Sequence, residues 1–203
     1  MDDNVAPPSA KPGRYRGIGA EMLRVIGVAY LRLGGWKMEG DWPPLAKAVL
    51  LAAPHTSNWD GVNMLAAAAY YRVALRWMGK QSLTTGPFGR VMLWLGCVPV
   101  DRAARHDVVQ AMAAAFAAAD TMILAIPPEG TRSLTRSWKT GFYHIAVQAR
   151  VPIILTVLDY GTRTIRIAGV FHPTGDYDAD IDTIRAPYRD AAGKIRGAFT
   201  TGA

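Results

Sequence analysis

One cysteine, Cys97, occurs in 203 residues. A lone thiol excludes an internal disulfide and lacks the partners of a cysteine-based zinc site, so a reducing compartment is the default. Charge is sparse at 19% of residues against 50% hydrophobic, and low-complexity tracts are missing apart from alanine-rich patches. That excludes an intrinsically disordered or collagen-like chain and allows one domain with a real core. No apolar run reaches the roughly 20 residues a bilayer span needs; the candidates are interrupted by Arg24 and Arg32, or by Arg72 and Arg76. The first thirteen residues carry two acids and three prolines rather than a basic and then an apolar region, so they read as a loose tail and not a signal peptide. Acidic residues are the minority sign, 16 against 23 Lys+Arg, for a formal +7. This favours an anionic partner: nucleic acid, phospholipid headgroups or a phosphorylated substrate. Basic residues are scattered, and aromatic RNA-binding motifs and zinc-finger spacings are lacking, which argues against nucleic acid.

What is present is a set of apolar stretches seeded with Trp, Tyr and Arg: Met22 to Trp36, Met64 to Met78, and Val91 to Trp94. Each suits either a lipid interface or an ordinary core helix. From Gly19 to Leu33, the positions Met22, Leu23, Ile26, Tyr30 and Leu33 recur at helical steps with Arg24 and Arg32 off the stripe, predicting an amphipathic helix ended by Gly34-Gly35. Lys47 to Ala53, Cys97 to Val100 and Thr121 to Ile126 read as short buried strands; Asp60 to Met78 and Gly141 to Ala149 read as helices. Val108, Met112 and Phe116 mark another helix among alanines, and Ile153 to Leu158 with Thr164 to Val170 predicts a hairpin linked through Gly161. Helices alternating with strands, then a hairpin, predict a single α/β domain with a mixed, mostly parallel sheet flanked by helices. Ligands of such sheets bind beyond the carboxyl ends of the strands.

Two polar segments directly follow predicted buried strands. In Pro54-His55-Thr56-Ser57-Asn58-Trp59-Asp60, the chain can turn back so that Asp60 orients His55 and leaves one ring nitrogen as a base. The same residues could be a satisfied loop histidine and a helix cap. In Pro127-Pro128-Glu129-Gly130-Thr131-Arg132-Ser133, glycine permits close backbone approach, while an arginine fork and a hydroxyl can hold phosphate. A solvated turn is the other reading. Cys97 lies within a predicted strand and reads as core. His106, His144 and His172 lack metal-ligand spacing, and no metal is expected. Lys80 reads as a surface lysine.

Taken together, the segments resemble the glycerolipid acyltransferases that acylate lysophosphatidic acid and related lipids. A histidine and an aspartate separated by four residues match at His55 and Asp60; a hydrophobic run into an arginine matches from Leu95 to Arg102; Pro-Glu-Gly-Thr-Arg-Ser matches in full from Pro128 to Ser133; and an apolar segment around a proline matches from Val151 to Ile154. Lys139 and Gly141 fall where the family has a basic residue and a glycine, and the likeness covers roughly Lys47 to Leu158. The resemblance implies that His55, oriented by Asp60, deprotonates an acceptor hydroxyl that attacks an acyl thioester without an acyl-enzyme. It also implies that Glu129, Gly130, Thr131, Arg132 and Ser133, with Arg102 and Lys139, bind substrate. No cofactor is expected beyond the donor, acyl-CoA or acyl carrier protein. The acceptor is a lysophospholipid, foremost 1-acylglycerol-3-phosphate; another lysolipid such as a lyso-aminolipid, or a non-catalytic lipid- or nucleic-acid-binding role, are the alternatives. The expected organisation is a tail at 1–13, a membrane-associating helix at 14–36, an acyltransferase domain at 37–187 and a mobile basic end at 188–203. Such a protein would sit peripherally, as a monotopic enzyme, on the cytoplasmic face of a membrane.

Overall fold

The computed structural model describes residues 17–100 and 105–202, with no side-chain detail for Val100 or residues 105–107. Its elements are helix α1 (Ile18–Leu33), strands β1 (Lys37–Glu39) and β2 (Lys47–Ala53), helix α2 (Trp59–Tyr70), strand β3 (Leu75–Lys80), short helices α3 (Ser82–Thr85) and α4 (Gly89–Trp94), strand β4 (Cys97–Val100), helix α5 (Arg105–Ala118), strand β5 (Met122–Ile126), helix α6 (Gly141–Ala149), strands β6 (Ile153–Asp159) and β7 (Thr164–Phe171), and helix α7 (Tyr177–Arg185). The seven strands form one sheet in the order β1-β7-β6-β2-β5-β3-β4, parallel throughout except for the β6–β7 hairpin. Side chains alternate across each strand. Val49 and Leu51 on β2, Leu124 and Ile126 on β5 and Ile153 and Leu155 on β6 therefore face one way, against Met112 and Phe116 of α5, Phe142 and Ile145 of α6 and Ile181 and Ile184 of α7. Ala48 and Leu50, Ile123 and Ala125, and Ile154 face the other way, against Ala68 of α2. Helix α1 lies over α2, burying Ala20 and Leu31 against the alanine face Ala66, Ala67 and Ala69.

The single α/β domain with a mostly parallel sheet is as the sequence predicts, but four local expectations are corrected. The Asp60 to Met78 helix stops at Tyr70; Arg72 turns the backbone through a left-handed φ of 57°, and Leu75–Lys80 pairs between β5 and β4 as a strand. Strand β1 and helix α7 were not foreseen; α7 is capped by the Asp176 carboxylate, which accepts from the backbone N–H groups of Asp178 and Ala179. The apolar stripe of α1 is shifted as well. Met22, Ile26 and Leu33 are exposed, joined by Ile18 and Val25, whereas Leu23 and Tyr30 turn toward the body. Finally, the chain after Tyr188, expected to be loose, is tied down through residue 202. Tyr188 is fully buried and donates to Leu51 O, Ala192 bridges to Asp159 and Tyr160, Ile195 N–H donates to Thr56 Oγ1, and Trp138 Nε1 donates to Thr200 O. The tail at 1–13 lies outside the described residues.

Candidate active site

Parallel pairing decides what meets at the carboxyl edge of the sheet. Leu51 of β2 stands opposite Ile126 of β5, and Ala53 of β2 opposite Val157 of β6. Running a few residues past those pairs brings His55, Glu129 and Tyr160, from three separate strands, to one rim. After β2 the chain turns at Pro54, and Asp60 in the first turn of α2 reaches back over the loop. Its Oδ2 accepts from the backbone N–H groups of Thr56 and Ser57, both at 2.6 Å, and its Oδ1 accepts from Ser57 Oγ at 2.8 Å and Tyr160 OH at 2.7 Å. His55 Nδ1 lies 3.4 Å from Oδ2, with the ring about a quarter exposed and Asp60 almost fully buried. Asp60 is therefore not a helix cap: the N-cap position of α2 is Asn58, and the Asp60 carboxylate binds the loop before the helix and lies beside the His55 ring. Burial pushes the Asp60 carboxyl up, yet the hydrogen bonds from His55, Tyr160 and Ser57 outweigh it and hold the group below its ordinary range. Burial, then the adjacent carboxylate, raises the Tyr160 phenol, so it remains a donor.

The second segment leaves β5 and packs beside the first. Glu129 is buried at 2% exposure, and its Oε1 accepts from the backbone N–H of His55 at 2.9 Å, cross-linking the two loops. Burial drives its carboxyl up to about 6, with the His55 hydrogen bond and charge pulling back only in part. Its Oε2 is buried with no hydrogen-bond partner among the described residues. Gly130 has φ +63°, a conformation that side chains rarely adopt, and a Cβ there would come within 3.0 Å of the Lys139 stem. Beyond it Thr131, Arg132 and Ser133 are exposed, and Arg132 Nη1 donates to Asn58 Oδ1, tying the arginine to the His55 loop.

Of the residues singled out by sequence, His55 donates its backbone N–H to Glu129 and sets its ring 3.4 Å from Asp60, Arg132 donates to Asn58 of the His55 loop, Gly130 and Lys139 pack together, and Thr131 and Ser133 ride on the same loop as Arg132. Arg102 lies outside the described residues. Four contributors escaped sequence reasoning: Ser57, Asn63, Tyr160 and Lys194. Asn63 Nδ2 donates to Tyr160 OH at 2.9 Å, and Lys194 lies 5.5 Å from the Tyr160 ring and 5.7 Å from the Trp59 ring. Tyr160 carried a usable signal, a polar group straight after a buried strand, as did Asn63, one turn after Asp60 on a face otherwise made of alanine.

Fold and site together define an α/β protein whose sheet edge holds a histidine–aspartate pair facing an arginine-bearing loop. A family model described as Acyltransferase matches residues 36–158, and the chain belongs to that family. The 1-acyl-sn-glycerol-3-phosphate acyltransferase of Salmonella typhimurium is 37% identical over 109 residues, 50% of this chain and 43% of that protein. The enzyme of the same description from Haemophilus influenzae is 31% identical over 124 residues, 58% of this chain and 50% of that protein. The chain thus spans about half the length of these relatives. The crystal structure of the 1-acyl-sn-glycerophosphate (LPA) acyltransferase PlsC from Thermotoga maritima matches with a TM-score of 0.57 at 15% identity, covering 83% of this chain and 78% of that one, a likeness of fold.

Proposed function

We propose that this protein is an O-acyltransferase that moves an acyl group from a thioester, acyl-CoA or acyl carrier protein, to a hydroxyl of a lysophospholipid, foremost 1-acylglycerol-3-phosphate. The observation that carries the reading is His55 Nδ1 against Asp60 Oδ2 at 3.4 Å, with the ring partly open to solvent. Asp60 fixes one nitrogen as the donor and frees the other to accept the proton of the acceptor hydroxyl. The alkoxide oxygen attacks the thioester carbonyl, the new C–O bond forms, the C–S bond breaks, and the proton held by His55 passes to the departing thiolate. No acyl-enzyme and no cofactor enter the step. Arg132 presents a guanidinium fork suited to the acceptor's phosphate, with Lys139 and Arg102 adding positive charge and Glu129 holding the two loops in register. The relatives' names support this acceptor.

The acceptor and product reside in bilayers, and α1 offers the means of meeting them. Ile18, Met22, Val25, Ile26 and Leu33 are exposed along it. No helix among the described residues is long and apolar enough to cross a membrane; the 16 residues of α1 reach only ~24 Å against a ~30 Å hydrocarbon core. Lying in the interface, on the cytoplasmic face, would bury the stripe and bring Arg24 and Arg32 toward anionic headgroups. The test is thiol release from acyl-CoA and from acyl carrier protein with a panel of lysolipids, lysophosphatidic acid and a lyso-aminolipid included. Turnover with lysophosphatidic acid preferred is the expected result; no turnover with any lysolipid overturns the enzyme reading, and preference for the lyso-aminolipid overturns the acceptor.

A further inference from the structure

The hydrogen bonds behind Asp60 continue well past the histidine. Tyr160 OH donates to Asp60 Oδ1, accepts from Asn63 Nδ2, and Asn63 Oδ1 accepts from Tyr30 OH at 2.9 Å. The direction of every proton follows from the first. A carboxylate can only accept, so the Tyr160 hydroxyl donates to it and has only lone pairs left for Asn63. Asn63 must then turn its amide nitrogen toward Tyr160 and its oxygen toward Tyr30. Tyr30, on α1, thereby holds the Asn63 amide in the orientation that donates to Tyr160 and leaves Tyr160 its proton for Asp60.

We propose that Tyr160 is the positioning residue of the His55–Asp60 pair, locked as a donor by Asn63 and Tyr30. This rests on His55 acting as the base. The reason for singling out Tyr160 is its origin. Ser57 and the backbone N–H groups of Thr56 and Ser57 belong to the His55 loop itself and move with it, whereas Tyr160 reaches Asp60 from the end of β6, in the body of the sheet. Its ring is gripped independently of its hydroxyl. Trp36 packs edge-on with centroids 4.9 Å apart, Lys194 lies over the ring, and the backbone N–H donates to Ala192 O at 2.9 Å. Phenylalanine at this position therefore removes the two hydrogen bonds of the hydroxyl, the one donated to Asp60 and the one accepted from Asn63, and keeps the packing.

The test is a double-mutant cycle with steady-state kinetics on the full chain, using acyl-CoA and lysophosphatidic acid. Tyr160→Phe should lower kcat on the order of ten-fold, one charge-assisted donor among several being lost, with KM for both substrates unchanged. In the His55→Ala background the same substitution should change nothing, because the pair it positions is gone. A merely structural tyrosine would lower activity equally in both backgrounds, which overturns the proposal; so does a Tyr160→Phe enzyme with wild-type kcat. Should His55→Ala itself retain wild-type kcat, the base reading fails first, a distinguishable outcome. If Tyr160→Phe does not fold, Tyr30→Phe decides. It touches neither catalytic residue, and it should lower kcat two- to three-fold at constant KM in the His55 background alone; unchanged kcat overturns the proposal.

Discussion

Replacing Glu129 with glutamine should abolish the pH dependence that this one carboxyl imposes on folding. The group is buried against the His55 loop with one oxygen that has no hydrogen-bond partner among the described residues, and burial carries its pKa from 4.5 to about 6. At about 1.4 kcal/mol per pH unit this amounts to about 2 kcal/mol. Because the folded value lies above the unfolded one, the contribution is fully present below about pH 4.5, where both states are protonated. It is lost as pH rises through about 6 and the folded protein must hold a buried charge. Glutamine keeps the acceptor for the His55 N–H and cannot titrate. The stability of wild type minus Glu129→Gln should therefore fall by about 2 kcal/mol between pH 4 and 7.5, and taking the difference cancels the titrating groups that do not interact with Glu129. Urea unfolding at matched pH values measures it. A difference that stays flat within about 0.5 kcal/mol, or that grows with pH, refutes the burial of this carboxyl as described.

Three further outcomes are expected. His55→Ala should cost about 10²- to 10⁴-fold in kcat with unchanged circular dichroism, and Asp60→Asn should also cost heavily; activity within threefold of wild type in the alanine variant removes His55 as the base. Arg132→Lys keeps the charge but loses the fork, so KM for lysophosphatidic acid should rise while KM for the thioester holds, and unchanged acceptor kinetics reject its phosphate role. Serine at Met22, Val25 and Ile26 together should weaken partitioning onto anionic vesicles roughly a hundred-fold, at about 1 kcal/mol for each half-buried side chain, and binding of the parent should fall with added salt. Co-sedimentation equal to the parent would remove α1 as the anchor.

Local patterns carried much of this molecule into its sequence. The strands β2, β4 and β5 announced themselves as short apolar runs bounded by polar turns, and the His55–Asp60 pair was legible because five residues of chain can close on themselves without help from elsewhere. Strand β3 was not legible, because Met64 to Met78 is apolar without a glycine or proline until Gly79 and the break is made by an arginine in a left-handed turn. Helix α7 was masked for the opposite reason: its three aspartates dilute the Ile181 and Ile184 face that it buries. The link from Tyr160 to Asp60 spans 100 residues and depends on β2 and β6 being neighbours, a pairing that no short-range pattern encodes.

The contact between Gly193 and Thr56 bears on when this site can exist. A Cβ at Gly193 would come within 2.5 Å of Thr56 Cγ2, and two residues on Ile195 ties itself to the Thr56 hydroxyl across 139 positions of sequence. Chains are synthesised from the amino end, and domains fold as their residues emerge. A nascent chain that has exposed β2, β5 and β6 already carries His55, Asp60, Glu129 and Tyr160, yet it still lacks the segment that packs against Thr56. The packed form of the His55 loop thus includes contacts that only residues 192–195 supply, so it is complete only once that segment has been translated and docked.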